Sequence, residues 1–261
     1  MRQGESSGIM LPNFLIIGAA RSGTTTLYSH LQGHPDVYLP AKKRPEPHFF
    51  LKNSEFVRGL SYYDERYFSH WAGQRAIGEA STSYIFGPEV PKRVRACLPA
   101  VRLIAMLRNP IERAFSNYWH TVKGGLETLC FAEAVALEST RKSELAGTAL
   151  GEISPFAYIE RGFYASQLRR WFEEFDREQI KIVIFDDFIA SPAATLAEVA
   201  RFLDIAPERL PNRGVEAENK SVPAEMTIPS ELRRTLINTF RDDVTALSDL
   251  LGRNLAHWLE T

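Results

Sequence analysis

A run of small and hydroxyl-bearing residues near the N-terminus has the composition of an anion-binding loop. Residues 18–25 read GAARSGTT, follow the apolar stretch NFLII at 13–17, and precede a helical pattern at 24–32. Glycines let the backbone approach a ligand closely, and the free amides at a helix start bind negatively charged groups. The segment therefore indicates a site for a phosphate or a related anion. The alternative is an ordinary strand–turn–helix connection rich in small residues.

The loop departs from the Walker A pattern of nucleoside triphosphatases at one position. Walker A reads G-x-x-x-x-G-K-[ST], and here Thr24 stands where the lysine would be. The positive charge lies inside the loop instead, at Arg21. This arrangement favours a 5′-phosphate that carries one more transferable group over a metal-bound triphosphate. A P-loop kinase or nucleoside triphosphatase is the leading alternative, and a non-catalytic nucleotide-binding module is the next.

A second candidate anion site follows the apolar run VRLIAML at 101–107. Arg108 comes directly after this run, and Asn109 with Pro110 has the pattern of a helix cap followed by a first-turn proline. Ser116 lies eight residues after Arg108, so both side chains can face one crevice beyond the strand. Taken alone, Ser116 would be interpreted as a mid-helix serine bonded to its own backbone. Arg113 in the same helix is expected to be structural.

A candidate proton acceptor lies in the proline-rich segment that follows the first helix. Glu46 stands between Pro45 and Pro47, which restrict the backbone around it. A carboxylate in hydrogen-bond reach of a hydroxyl group can take its proton during attack. Without further information, a lone loop glutamate is usually a solvated charge. His48 is the alternative base, because a neutral imidazole can do the same work.

These motifs, in this order, resemble the sulfotransferases that use 3′-phosphoadenosine 5′-phosphosulfate (PAPS). The run PNFLIIGAARSGTTTLYSHLQGHPDVYLP resembles their 5′-phosphosulfate loop, and RLIAMLRNPIERAFSNYWH resembles their 3′-phosphate-binding strand and helix. Further similar segments are KRPEPHFF, GEASTSYI, RGFYASQLRRWFEEF and IKIVIFDDF. The likeness is closer to the heparan-sulfate N- and O-sulfotransferase branch and its bacterial relatives than to the cytosolic phenol and steroid enzymes.

The resemblance implies a role for each matching position. Arg21 stands where the family usually has a lysine at the leaving oxygen, and the 5′-phosphosulfate would be held by Arg21, Ser22, Gly23, Thr24, Thr25 and Thr26. Arg108 and Ser116 match the pair that holds the 3′-phosphate. Lys220 stands in the nearest counterpart of the basic loop that closes over the nucleotide.

On the acceptor side, Glu46 matches the catalytic base and His48 a histidine that lines the same site. The resemblance implies PAPS as donor, 3′-phosphoadenosine 5′-phosphate (PAP) as product, and no metal site. Ala80 stands where the family often has a lysine, which removes one cation from the acceptor cleft. We therefore expect this chain to catalyse the same reaction as the family. The expected acceptor is a hydroxyl or amine on a carbohydrate or, as the second choice, on a lipid or small molecule.

The elements needed to position these residues alternate along the chain. Strands are predicted at 13–17, 76–80, 101–107 and 180–185, and helices at 24–32, 62–71, 110–120, 131–145, 158–175, 196–203 and from 230 onwards. Alternating strands and helices indicate an α/β fold with a central parallel sheet flanked by helices, P-loop-like in topology. We expect a single sulfotransferase domain over 1–261, with 1–11 as a flexible N-terminal segment.

The overall charge narrows the possible partners. The 261 residues carry a net charge of −1 and 44% hydrophobic residues, which argues against a dedicated nucleic-acid binder and mildly against a long polyanionic acceptor. The sequence has no apolar run of about 18 residues, so no membrane span is expected. The two cysteines, without C-x-x-C spacing, favour a reducing compartment, and we expect a cytoplasmic bacterial protein. The sequence leaves the oligomeric state open.

Overall fold

The strands of the protein form one parallel sheet. The computed structural model describes residues 8–41, 46–211 and 222–260. Their strands are β1 (Phe14–Gly18), β2 (Val37–Tyr38), β3 (Ala76–Ala80), β4 (Arg102–Leu107) and β5 (Ile180–Ile184). The order across the sheet is β2-β3-β1-β4-β5, and every neighbouring pair is parallel.

Both faces of the sheet are covered, as its uninterrupted apolar strands require. In β1, Phe14 and Ile16 enter one hydrophobic cluster, while Leu15 and Ile17 enter the cluster on the opposite face. All four side chains are fully buried. Helices pack on both sides of the sheet, which confirms the predicted α/β class.

The α-helices account for about half of the remaining described residues. They are α1 (Thr24–Gln32), α2 (Asn53–Phe56), α3 (Gly59–Tyr63), α4 (Val90–Cys97), α5 (Pro110–Lys123), α6 (Phe131–Ala136), α7 (Glu138–Glu144), α8 (Ala149–Ile153), α9 (Tyr164–Glu174), α10 (Phe185–Ala190), α11 (Pro192–Phe202) and α12 (Ser230–Leu251). A π-helical turn at Asp64–Phe68 continues α3. None of the helices in these described segments is long and apolar enough to cross a membrane.

Several predicted helix bounds were wrong, each for a local reason. The helix predicted over 131–145 is two helices, α6 and α7, with a break at Leu137. The helix predicted over 158–175 begins only at Tyr164, because a short 3₁₀ turn at Glu160–Gly162 precedes it. Helix α4 was not predicted at all. Its apolar positions, Val90 and Val94, are four apart, but prolines and charged residues around them obscure the pattern.

The sheet order places the candidate residues at one edge. In a parallel sheet the carboxyl ends of all strands meet at the same edge, and ligands bind where the strand order reverses. Here β1 lies between β3 and β4, so the loop after β1 is flanked by the residues that follow β3 and by Arg108 after β4.

Candidate active site

The loop between β1 and α1 has the backbone geometry that its glycines predict. Gly23 caps α1 with a φ of 91°, in the left-handed region that favours glycine. A Cβ atom at this position would lie 2.9 Å from the ring of Phe185. The first amides of α1 have no acceptor within the helix and point out of its N-terminus, as an anion site requires.

The structure brings together the predicted ligands from the two motifs. Arg21 Nε lies 3.4 Å from Ser116 Oγ on α5, and Arg108 Nη1 lies 3.5 Å from the carbonyl oxygen of Arg21. Both contacts are long for hydrogen bonds. Arg108 also stacks over the ring of Phe185, with 5.0 Å between its guanidinium carbon and the ring centroid. The loop, β4 and α5 therefore converge on one site.

Positive charge accumulates at this site. Burial lowers the pKa of Arg21, and repulsion from Arg108 and Arg113 lowers it further. Burial also lowers the pKa of Arg108 and of Arg113, and Arg108 repels Arg113. Burial disfavours the charge of all three guanidinium groups, and repulsion adds to this effect at Arg21 and Arg113, so a bound anion would stabilise the charged forms. We call Arg21, Arg108 and Arg113 the arginine cluster.

Arg113 belongs to the site more closely than the sequence suggests. Its side chain is fully buried, and its Nη2 donates to the carbonyl oxygen of Tyr158. Within the described segments, Arg113 Nε and Nη1 and Ser22 Oγ are buried without a hydrogen-bond partner. Buried polar groups are almost always paired, so these atoms are positioned to bond a ligand at this site.

Glu46 is held by Thr82, two residues after the end of β3. The amide of Thr82 donates to Glu46 Oε2 at 2.8 Å, and the Thr82 hydroxyl donates to Oε1 at 2.9 Å. Burial raises the pKa of Glu46, and these two hydrogen bonds partly oppose that effect. The side chain keeps 38% of its surface exposed, on the side that faces the cleft.

His48 is a neutral neighbour of Glu46. Its Nε2 lies 3.4 Å from Glu46 Oε2, yet burial lowers the pKa of His48 to about 3, with smaller contributions from Lys52 and Arg161. An uncharged imidazole forms no ion pair with the carboxylate. In the neutral ring one nitrogen donates a hydrogen bond and the other accepts one.

A cleft of about 150 Å³ lies between the first turns of α1 and Glu46. Its lining combines hydroxyls of the phosphate loop with the candidate base, and consists of Thr24, Thr25, Tyr28, Pro40, Ala41, Glu46, Pro47, Glu79, Ala80 and Thr82. A group held by the loop and a group deprotonated by Glu46 would meet in this cleft.

Sequence reasoning missed three of the residues that form this site. Thr82 anchors Glu46, Phe185 packs against the loop, and Glu79 lines the cleft from within β3. The segment GEASTSYI, already similar to the family, was the available signal for Glu79 and Thr82. Thr26, assigned to the anion site, is buried inside α1, and Lys220 lies outside the described residues.

Asp186 and Asp187, which follow β5, make structural contacts with the C-terminal segment. Asp187 Oδ1 accepts from Arg253 at 2.7 Å, and Asp186 Oδ2 accepts from the indole of Trp258 at 2.7 Å. Trp258 also offers its carbonyl oxygen to Asn109, the cap of α5. These contacts attach the C-terminal segment to the ends of β4 and β5. Asp186 and Asp187 are therefore used in structural contacts, unlike the acidic residue that binds magnesium at a strand end in nucleoside triphosphatases.

Comparison with known proteins gives a consistent family assignment. The family model described as "Sulfotransferase domain" matches residues 11–222. The crystal structure of a sulfotransferase from Alicyclobacillus acidocaldarius is 32% identical, covers 97% of this chain and 100% of that chain, and superposes with a TM-score of 0.82. The resemblance recognised in the motifs, including bacterial relatives, is confirmed.

Curated relatives are longer than this chain. The membrane-associated sulfotransferase kil1 of Dictyostelium discoideum is 25% identical over 96% of this chain and 67% of its own length. Human heparan sulfate glucosamine 3-O-sulfotransferase 3B1 is 32% identical over 77% of this chain and 48% of its own length. The chain spans less than a third of the bifunctional heparan sulfate N-deacetylase/N-sulfotransferases that it matches.

Proposed function

The chain belongs to the sulfotransferase domain family, and from this membership we propose that it moves a sulfuryl group from PAPS to an acceptor hydroxyl or amine. The observation that carries the donor assignment is the arginine cluster at the anion loop. Two motifs separated by about 90 residues contribute cations to one site, as a ligand with two separate phosphate-bearing ends requires.

The residues present fit such a donor. The loop amides and the hydroxyls of Thr24 and Thr25 would hold the 5′-phosphosulfate, and the buried unpaired atoms of Ser22 and Arg113 would donate additional hydrogen bonds there. Arg108 and Ser116 would hold the 3′-phosphate. When bound, PAPS supplies a sulfuryl group on a phosphate that leaves without help from a metal.

The chain's own contribution is positioning and charge. Sulfuryl transfer resembles phosphoryl transfer, in which in-line placement and electrostatic stabilisation supply most of the acceleration. Arg21 would stabilise the negative charge that grows on the leaving oxygen. Glu46, held by Thr82, would accept the proton of the acceptor group, and neutral His48 would orient that carboxylate.

For the acceptor we propose a carbohydrate hydroxyl or amine first and a lipid or small-molecule hydroxyl second. The likeness to a heparan sulfate 3-O-sulfotransferase supports the carbohydrate. Ala80 in the cleft, at a place where the family often has a lysine, weakens the case for a highly sulfated chain. We also propose a single domain in a bacterial cytoplasm, supported by the bacterial structural relative and by the unpaired Cys97 and Cys130.

The test offers labelled PAPS to a panel of acceptors and identifies the sulfated product by mass. In parallel, PAP should raise the melting temperature without added metal, because ligand at about 100 times its dissociation constant adds about 2.7 kcal/mol. A melting shift with Mg·ATP but none with saturating PAP would instead favour a kinase or triphosphatase. PAP binding without turnover for any acceptor would favour a non-catalytic module.

A further inference from the structure

Glu79 is a buried carboxyl group to which the proposed mechanism gives no role. It lies on β3, next to the strand that leads into the phosphate loop, and lines the same cleft as Glu46. Its side chain is fully buried. A carboxyl group in such a place requires specific partners, because burial without them is strongly unfavourable.

The partners of Glu79 connect it to the loop that carries the candidate base. The hydroxyl of Tyr63 donates to Glu79 Oε1 at 3.0 Å, and the hydroxyl of Ser81 donates to Oε2 at 2.8 Å. Ser81 Oγ in turn accepts a hydrogen bond from the backbone amide of His48 at 2.8 Å. One side chain thus separates Glu79 from the backbone two residues after Glu46.

The backbone at His48 adopts a conformation that such a contact can stabilise. His48 has a φ of 50°, in the left-handed region that non-glycine residues adopt only when their surroundings impose it. The next fixed point is Phe50, whose amide donates to the hydroxyl of Tyr84 at 3.2 Å. The residues after β3 therefore hold segment 48–50 at two points.

We propose that Glu79 is a positioning residue for the proton-accepting pair: through Ser81 it fixes the backbone of His48, and thereby the directions of the His48 ring and the Glu46 carboxylate in the cleft. The role in catalysis rests on the proposed function. The hydrogen-bond chain itself rests on geometry alone.

The strength of this hold depends on the charge of Glu79. Burial raises the pKa of Glu79 to about 7, opposed by hydrogen bonds from Ser81, Tyr84 and Tyr63 and reinforced by Glu46. Tyr28 on α1 also faces the group, and its own pKa is raised by burial and by Glu79. An ionised carboxylate accepts from hydroxyls more strongly than a protonated one, so the hold tightens as pH rises through about 7.

The experiment compares Glu79→Gln and Ser81→Ala with the parent protein in two measurements. The first is hydrogen exchange of the peptide covering residues 46–52, with the β1–α1 peptide as internal reference. The second is single-turnover transfer from saturating PAPS to the best acceptor of the panel, recorded from pH 5.5 to 8.5.

Both variants should exchange faster at 46–52, bind PAP with parent affinity, and transfer about 10-fold more slowly at pH 8. The step in rate near pH 7 should disappear in Glu79→Gln. The matched control is Asp243→Asn on α12, which removes a half-buried carboxylate that accepts from the amide of Ala165 at the start of α9. It should lower stability without altering exchange at 46–52 or the pH profile.

Different results would contradict the positioning role of Glu79 and the proposed function. Unchanged exchange at 46–52 in both variants overturns the positioning role, whatever the activity. A parent rate and pH profile retained in Glu79→Gln overturns it as well. If Glu79→Gln does not fold, Ser81→Ala decides alone. A parent protein that transfers nothing from PAPS to any acceptor overturns the proposed function instead.

Discussion

Two parts of the site carry opposite charges: the arginine cluster, which we call the arginine wall, and the carboxyl groups of Glu46 and Glu79, which we call the carboxyl wall. Burial shifts the pKa values of the two groups in opposite directions. On the loop side, burial lowers the pKa of Arg21, Arg108 and Arg113. On the β3 side, burial raises the pKa of Glu46 and Glu79. Desolvation disfavours the charged form of both kinds of group. The comparison shows that the arginine wall is suited to bind an anion, whereas the carboxyl wall is suited to accept a proton.

The walls also differ in how they are constructed. The arginine wall is set by residues directly after β1 and β4, so a strand end and a helix start fix most of its geometry. The carboxyl wall depends on contacts between Glu46 or His48 and residues that follow β3, more than 30 positions later in the chain. Substitutions on the two walls should therefore affect different steps of the reaction.

The largest effect is expected for Glu46→Gln. Glutamine keeps the size and one acceptor oxygen for Thr82 but cannot take a proton, and loss of a general base typically lowers the rate about 100- to 10000-fold. PAP affinity should stay at the parent value. Single-turnover transfer at saturating PAPS measures the loss.

His48→Ala is the control for this substitution. If His48→Ala abolishes transfer while Glu46→Gln keeps a rate close to that of the parent protein, the general base is His48 and not Glu46. The pH profile separates them too: a Glu46 base loses activity as pH falls through its raised pKa, whereas His48, with a pKa of about 3, stays unprotonated well below that pH.

Arg21→Ala tests the opposite wall. Removal of a group that stabilises charge in the transition state typically lowers the rate about 100- to 1000-fold, with a smaller loss of PAP affinity. Arg21→Lys should recover much of the rate, though not the contact of Nε with Ser116. Equal losses in turnover and PAP affinity, measured by calorimetry, would make Arg21 a binding residue only.

The carboxyl wall should also limit stability at alkaline pH. The folded pKa of Glu79 is raised from 4.5 to about 7, so the folded state favours the protonated form. This contribution is fully present below pH 4.5 and is lost as pH rises through 7, by about 3 kcal/mol. Urea denaturation at pH 5 and 8 should show a larger fall in the parent than in Glu79→Gln, because the raised pKa of Glu46 contributes equally to both proteins. Equal falls in both proteins would contradict the assignment.

The smallest effects are expected for Arg108→Ala and Ser116→Ala. Loss of a hydrogen bond to a charged ligand weakens binding by about 1.5–3 kcal/mol, or about 10- to 100-fold, for the arginine, and by less for the serine. Discrimination against a donor without the 3′-phosphate should shrink in both variants. Arg234→Ala, at an exposed arginine on α12, is the control. Parent-like PAP affinity in both variants would remove the 3′-phosphate site from β4 and α5.

The sequence determined the parts of the protein that are encoded locally. Helix α1 and strand β3 have the predicted bounds, and Asn109 caps α5 as its spacing with Pro110 predicts, accepting from the amide of Ile111 at 2.9 Å. The anion loop, the second motif and the family follow from short stretches of residues. Apolar periodicity, caps and glycines act over a few residues, so they can be recognised without the fold.

The tertiary structure alone decided the electrostatics of the site. The sequence could not show that Glu79 would be buried against Tyr63, that Thr82 would hold Glu46, or that His48 would be neutral. Arg113, expected to be structural, contributes its charge to the cluster. Each of these outcomes depends on desolvation and on contacts between residues distant in the chain, which arise only when the parallel strands bring their carboxyl ends to one edge.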